Sequence, residues 1–217
     1  LVGHDLSGRD LRGHDLSRAD LTGADLTGAD LRGVCLYQAQ LDGAEFSTAD
    51  LTGADLREAR GTQTGFAGAT LTDADLTASS FPHASFTQAV LHNTVCAGAD
   101  LRNARFSRAT LTGTDFTAAT LKEAWLQNSD VTHARFRDAH MRDVRLSHLK
   151  GYDAADWVGA DLREADTCGA YDLRRFAHDQ NYLEEFYARS PRHRLIYFLW
   201  WATSDCGRSL SRWSGWT

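Results

Sequence analysis

Residues 19–33 read AlaAspLeuThrGlyAlaAspLeuThrGlyAlaAspLeuArgGly, three consecutive fives of one pattern. From residue 4 to about 150 the chain repeats it, with Leu or Phe at a central position every five residues from Leu6 to Leu146. Of these 29 central positions 18 are Leu and seven are Phe; the others are Gly61, Cys96, Val131 and Met141. Two residues before them the slot is small in 24 of the 29 cases, Ala in 19 and Ser or Thr in five.

A period of five fits neither an α-helix nor a continuous strand. In extended backbone, however, residues two apart point to the same side. Ala and the central Leu therefore face inward together, and the next two residues, rich in Thr-Gly and Arg-Gly, turn a corner. Each five is one short side of a coil. Phe46, Phe66, Phe86 and Phe106 are 20 apart, as are Phe116 and Phe136. Like residues stack when they lie one turn apart, so a coil has four sides and 20 residues. Gly61 leaves room into which Phe81, one coil on, is expected to lean. Seven coils at about 4.8 Å give a rod roughly 35 Å long. Near residues 147–151 the register slips by one, and Tyr152, Trp157 and Leu162 continue the period. This predicts a bulge and then a final, less regular coil.

The pattern closely resembles the pentapeptide-repeat family. The resemblance covers about residues 4–170 and implies an all-β fold, a right-handed quadrilateral β-helix. The solenoid is assigned to residues 1–170, and a short α-helical cap or linker to residues 171–217.

Repeat rods of this kind bind through extended outer faces. The net charge of −6 is unevenly spread: residues 1–100 carry 14 acids and six bases, residues 101–150 five acids and nine bases. Asp10, Asp30 and Asp50 share one face; Asp5, Asp25 and Glu45 share another. Such ordered carboxylates imitate DNA phosphates, or else are simply the common solvated residue before the central Leu. Arg12 and Arg32 partly neutralise the first of these rows. In the basic half Arg102, Lys122 and Arg142 align, as do Arg105, Trp125 and Arg145. An outward Trp between two Arg predicts cation–π stacking and a contact surface, since both residue types are enriched in binding hot spots. Because the whole chain is acidic, this short ladder argues against nucleic acid as the partner.

His4, Arg9 and His14 occupy slots that elsewhere hold Ala. They are read as polar heads reaching water at an open end, or as covered by a preceding segment, with a metal site a minor alternative. There is no phosphate loop, nucleophile elbow or HExxH motif, so neither an enzyme nor a bound cofactor is expected. Cys35, Cys96, Cys168 and Cys206 stand far apart with no CxxC pair, which points to a reducing compartment.

From Tyr171 the repeat gives way to helix signals. Leu173, Phe176, Tyr182, Leu183, Phe186 and Tyr187 make an apolar stripe, and Ser190-Pro191 reads as a helix start. Trp200, Trp201, Trp213 and Trp216 crowd the end and are expected to cap the solenoid, to lie near a membrane, or to join two chains end to end as a homodimer. The apolar run from Leu195 to Ala202 is too short to span a bilayer, which takes about 20 residues. Residues 199–213, LeuTrpTrpAlaThrSerAspCysGlyArgSerLeuSerArgTrp, resemble the linker of bacterial membrane-associated pentapeptide proteins. That resemblance implies a channel-like helix pair beyond Thr217 and a cytoplasmic interaction or sensory domain at the inner face of the membrane. The alternative is another branch of the same family, the fluoroquinolone-resistance proteins that imitate DNA and bind gyrase.

Overall fold

A computed structural model describes residues 1–168 of the chain. The expectations for residues 171–217, including Trp200, Trp201, Trp213 and Trp216, lie outside them. The described chain is a four-sided solenoid in which every fifth residue forms a parallel bridge to the residue 20 positions on, from Asp5 with Asp25 to Asp130 with Lys150. The fixed offset follows from the backbone bonds. The Leu6 N–H donates to the Asp25 carbonyl (2.7 Å), and the Asp25 N–H to the His4 carbonyl (3.0 Å). Each coil thus pairs both donors and acceptors of a side with its neighbours, as backbone groups must when water is excluded.

Corners are closed by i to i+3 bonds, such as the Ala24 N–H to the Leu21 carbonyl at 2.9 Å. The residue before the closing donor has positive φ, 64° at Gly23, the signature of a type II turn. This explains the glycines of the repeat, yet many corners hold other residues in the same conformation. Thr48, with φ 58°, is the costliest kind, since a β-branched side chain crowds the left-handed region.

Inside, the central residues form columns. Phe46, Phe66, Phe86 and Phe106 stack with ring centres 4.8–5.0 Å apart and near-parallel planes. Phe116 and Phe136 stack at 5.1 Å in a second column, and Phe106 meets Phe116 edge-on at 5.8 Å. Phe81 stands edge-on to Phe66 at 5.4 Å. The atoms nearest a Cβ at Gly61 belong to the Thr64 hydroxyl and the Leu41 carbonyl rather than to Phe81. The small slots are filled by buried Ala; where Thr replaces it, the hydroxyl donates to a carbonyl of the coil before, as from Thr94 to Leu71 at 2.7 Å.

The register slip is one inserted residue. Bridges after it join residues 21 apart, from Arg135 with Asp156 to Arg145 with Asp166. Gly151, with φ 70°, opens a single 3₁₀ turn, Tyr152–Ala154, that absorbs the extra residue. Trp157 then resumes the second aromatic column, and its indole N–H donates to the Tyr152 carbonyl at 2.8 Å. In the first coil Leu6, Leu11 and Leu16 are half-buried, while His4, Arg9 and His14 are exposed. Among the described residues no helix is long and apolar enough to cross a membrane.

Candidate functional site

Each coil presents one bridging residue on each of its four sides, and the 20-residue period lines these up into four faces. Face A carries Asp5, Asp25, Glu45, Gly65, Ser85, Arg105, Trp125, Arg145 and Asp166 in that order along the rod. Face B begins with Asp10, face C with Asp15 and face D with Asp20.

Most carboxylates on these faces have a local structural duty. The side chain of Asp5, Asp10, Asp20 or Asp30 accepts the backbone N–H two residues on, at 3.0–3.4 Å, bracing the corner that follows. This is the Asx-turn habit of aspartate. Where the second residue after Asp is Arg, the guanidinium adds a two-pronged grip. Arg12 holds Asp10 through Nε and Nη2 at 2.8 and 2.6 Å, and also reaches Asp30 at 3.4 Å. Arg32 does the same between Asp30 and Asp50. Face B is therefore a stapled ladder whose charges are largely cancelled. The Arg12 guanidinium, followed by the Arg12 backbone N–H, holds the Asp10 carboxyl well below its ordinary range.

The two basic rows of the sequence analysis differ in the same way. Arg102 is held by Asp100 at 2.7 Å, Lys122 lies 3.2 Å from Glu123, and Arg142 reaches Glu164 at 2.7 Å with Asp143 at 3.7 Å. That row is locally neutralised. The Arg105–Trp125–Arg145 row is not. The two guanidiniums lie over the Trp125 ring at 5.1 and 4.4 Å from its centre. Among the described residues neither has a carboxylate within 4.0 Å. The half-buried indole thus holds two unneutralised cations at fixed spacing along the rod, each contact worth about 0.5–1 kcal/mol at an exposed site.

At the opposite end of face A, Asp5 and Asp25 accept N–H groups of Ser7 and Thr27. Glu45 lies flat over Gly65: a Cβ there would meet the Glu45 carboxylate. Among the described residues none of these three acids forms an ion pair.

Sequence reasoning missed a third polar group. Gln38 donates to Glu58 at 2.8 Å, the Tyr37 hydroxyl to the same carboxylate at 3.1 Å, and Arg57 lies 5.7 Å from the Tyr37 ring centre. The 20-residue offset between Gln38 and Glu58 was available as a signal. The grips at Asp10, Asp30 and Asp100 were also legible, as repeated AspLeuArg. Cys35 and Cys96 are free, and burial pushes the Cys96 thiol well up. Cys168 is not free.

No curated protein matches the chain in sequence. Among solved structures it is similar to two trypsin-treated single-residue variants of QnrB1, each described as a plasmid-mediated fluoroquinolone resistance protein. For one the TM-score is 0.54 at 20% identity, over 81% of this chain and 93% of that one. For the other it is 0.55 at 18%, over 80% and 92%. HetL, a pentapeptide repeat protein involved in heterocyst differentiation regulation in Nostoc sp. strain PCC 7120, aligns over 76% of this chain and 87% of its own at 23% identity, with a TM-score of 0.30. Pentapeptide repeats in eight copies match residues 3–38, 39–77, 69–108, 79–117 and 114–149. By its repeats and by the coil they build, the chain belongs to the pentapeptide repeat family.

Proposed function

We propose that this chain is a non-catalytic protein-interaction scaffold that binds through face A. The observation that carries this reading is the Arg105–Trp125–Arg145 ladder, whose cations are ordered by the indole and left unneutralised by the described residues of their own chain. An aromatic flanked by Arg is the composition of a contact hot spot. The convex faces hold carboxylates paired to Arg or to backbone N–H groups, an arrangement that serves the fold rather than proton transfer. In-cell crosslinking of the wild type and of the triple variant Arg105→Glu, Trp125→Ala, Arg145→Glu tests the proposal. Loss of crosslinked partners with an unchanged melting temperature supports it; an unchanged crosslink pattern overturns it.

The resemblance at residues 199–213 supports placing this scaffold on the cytoplasmic side of a membrane. A product of the full reading frame that fractionates wholly with soluble protein disposes of that placement.

A second reading, a DNA-mimicking gyrase binder, is favoured by the acids of the first three coils and by the architecture shared with QnrB1. Against it stand the Arg grips on face B and the cationic half of face A, since a mimic of DNA needs unneutralised negative charge along the rod. Micromolar protein that leaves gyrase supercoiling and its drug sensitivity unchanged removes this reading.

A further inference from the structure

Among the described residues, face A is the one face whose charge reverses along the rod. Its first three coils, residues 2–8, 22–28 and 42–48, carry Asp5, Asp25, Asp42 and Glu45 and no Lys or Arg. Coils six to eight, residues 102–108, 122–128 and 142–148, carry six bases against Glu123 and Asp143. The first end is thus four charges negative; at the other, Asp100 and Glu164 hold Arg102 and Arg142 and Asp166 ends the row, while Arg105, Arg108 and Arg145 form no ion pair among the described residues. Between them, residues 62–68 and 82–88 carry no Asp, Glu, Lys or Arg, and Gly65 and Ser85 lie at the centre. On the other faces bases do not gather this way: B closes with Asp130 and Lys150, C with Arg135 and Asp156, D with His140 and Asp161, whereas A has Arg105, Trp125 and Arg145 before its final Asp166.

We propose that face A docks a second copy of this chain, antiparallel, about a two-fold axis passing between Gly65 and Ser85. In that arrangement the row residues pair so that their numbers sum to a constant. Asp5 faces Arg145 of the second copy, Asp25 faces Trp125 between its two guanidiniums, Glu45 faces Arg105, and Gly65 faces Ser85. The corner beside the row follows the same rule: Asp42 faces Arg102, Thr22 faces Lys122, and Gly3 and Gly23 lie under the larger Asp143 and Glu123. A two-fold contact uses one patch on both copies and so must be self-complementary. Face A meets that demand in charge towards its two ends, with an uncharged stretch at the centre where the Glu45 carboxylate covers Gly65.

The common spacing selects a second copy over other partners. Cations and carboxylates on face A both recur at the coil repeat of about 4.8 Å. Two copies therefore match at every coil once they match at one, whereas a partner of different repeat drifts out of step. The Trp125 ring fixes Arg105 and Arg145 in place, so little side-chain freedom is lost on docking.

The proposal rests on face A being a protein contact surface, and its test separates the two. Sedimentation velocity on the full chain at about 0.05 M and about 1 M NaCl is expected to show a dimer at low salt that weakens at least tenfold at high salt, because surface charge is screened. Arg105→Glu with Arg145→Glu leaves the central row of face A with acids as its only charges, and Asp5→Arg with Glu45→Arg leaves that row with four Arg against Asp25 and Asp166. Each variant alone is expected to be monomeric, and an equimolar mixture to form a heterodimer. That recovery excludes misfolding as the cause of either loss. A wild type that is monomeric at 100 µM overturns the proposal. So does a dimer indifferent to both variants, which would assign it to another surface. A monomer that binds double-stranded DNA or heparin through Arg105 and Arg145 also overturns it, placing a polyanion on the face. A monomer whose crosslinked partners vanish with the same substitutions overturns self-docking while leaving the interaction function standing.

Discussion

Trp157 stacks on Phe136 with ring centres 4.3 Å apart and planes 9° from parallel, although 21 residues separate them instead of 20. The inserted residue is taken up entirely outside the column, at Gly151 and the turn after it. The aromatic column, not the corner, therefore sets the register. Trp157 is only 1% exposed, so Trp157→Ala is expected to cost about 3–5 kcal/mol. Trp125→Ala, on the surface, is expected to cost about 1 kcal/mol or less. Denaturant melts of the two variants check the contrast.

Thr48 holds a left-handed corner that other coils give to Gly. Thr48→Gly removes a steric penalty of about 1–2 kcal/mol and costs part of it back in unfolded-chain entropy. A net gain of about 0.5–1 kcal/mol is expected, read as a rise in the urea midpoint with unchanged slope.

Five small slots hold a hydroxyl. Thr64, Thr94, Thr114 and Ser129 each donate to a carbonyl, but the buried Ser79 Oγ has no hydrogen-bond partner among the described residues. Ser79→Ala is expected to stabilise by about 1 kcal/mol, and Thr114→Ala to destabilise by a similar amount or more. Thermal melts with opposite shifts are the expected outcome; shifts of one sign would contradict the account.

Acid should weaken the rod. Asp5, Asp10 and Asp20 are held below the usual carboxylate value of 3.8, each first by the side chain and then by the backbone N–H two residues on. A folded-state value below the unfolded one adds stability that is present above about 3.8 and is lost as pH falls through the folded value. Asp143, pushed up by desolvation and by Glu164, acts in the opposite sense but is outnumbered. The melting temperature is expected to be flat from pH 7 to about 5 and to fall below about 4.

The fold was legible because the inward residues obey one rule over dozens of positions, and a 20-residue alignment of Phe fixed the number of sides. The same alignment placed Arg105, Trp125 and Arg145 on one face. It did not say which charges are already spent. Arg102 and Arg105 read alike in the sequence, yet the AspLeuArg order turns Arg102 back on Asp100, while Arg105 follows Ala and faces outward to the ring. Nor did composition reveal that the Asp before each Leu braces a corner, because that depends on a backbone N–H that no side-chain pattern displays. Nor did the Phe spacing show what lies nearest Gly61: a hydroxyl at Thr64, three residues on, held there by a carbonyl of the coil before.

The fixed bridge spacing has a consequence for how the rod is made. Partners 20 or 21 residues apart over 168 described residues give a relative contact order of roughly 0.12, close to that of helical bundles and below that of most all-β folds. Each coil needs only the one before it as a template. A chain leaving the ribosome at about 5–20 residues per second can therefore lay down one coil every few seconds, and the nascent rod never waits for its far end.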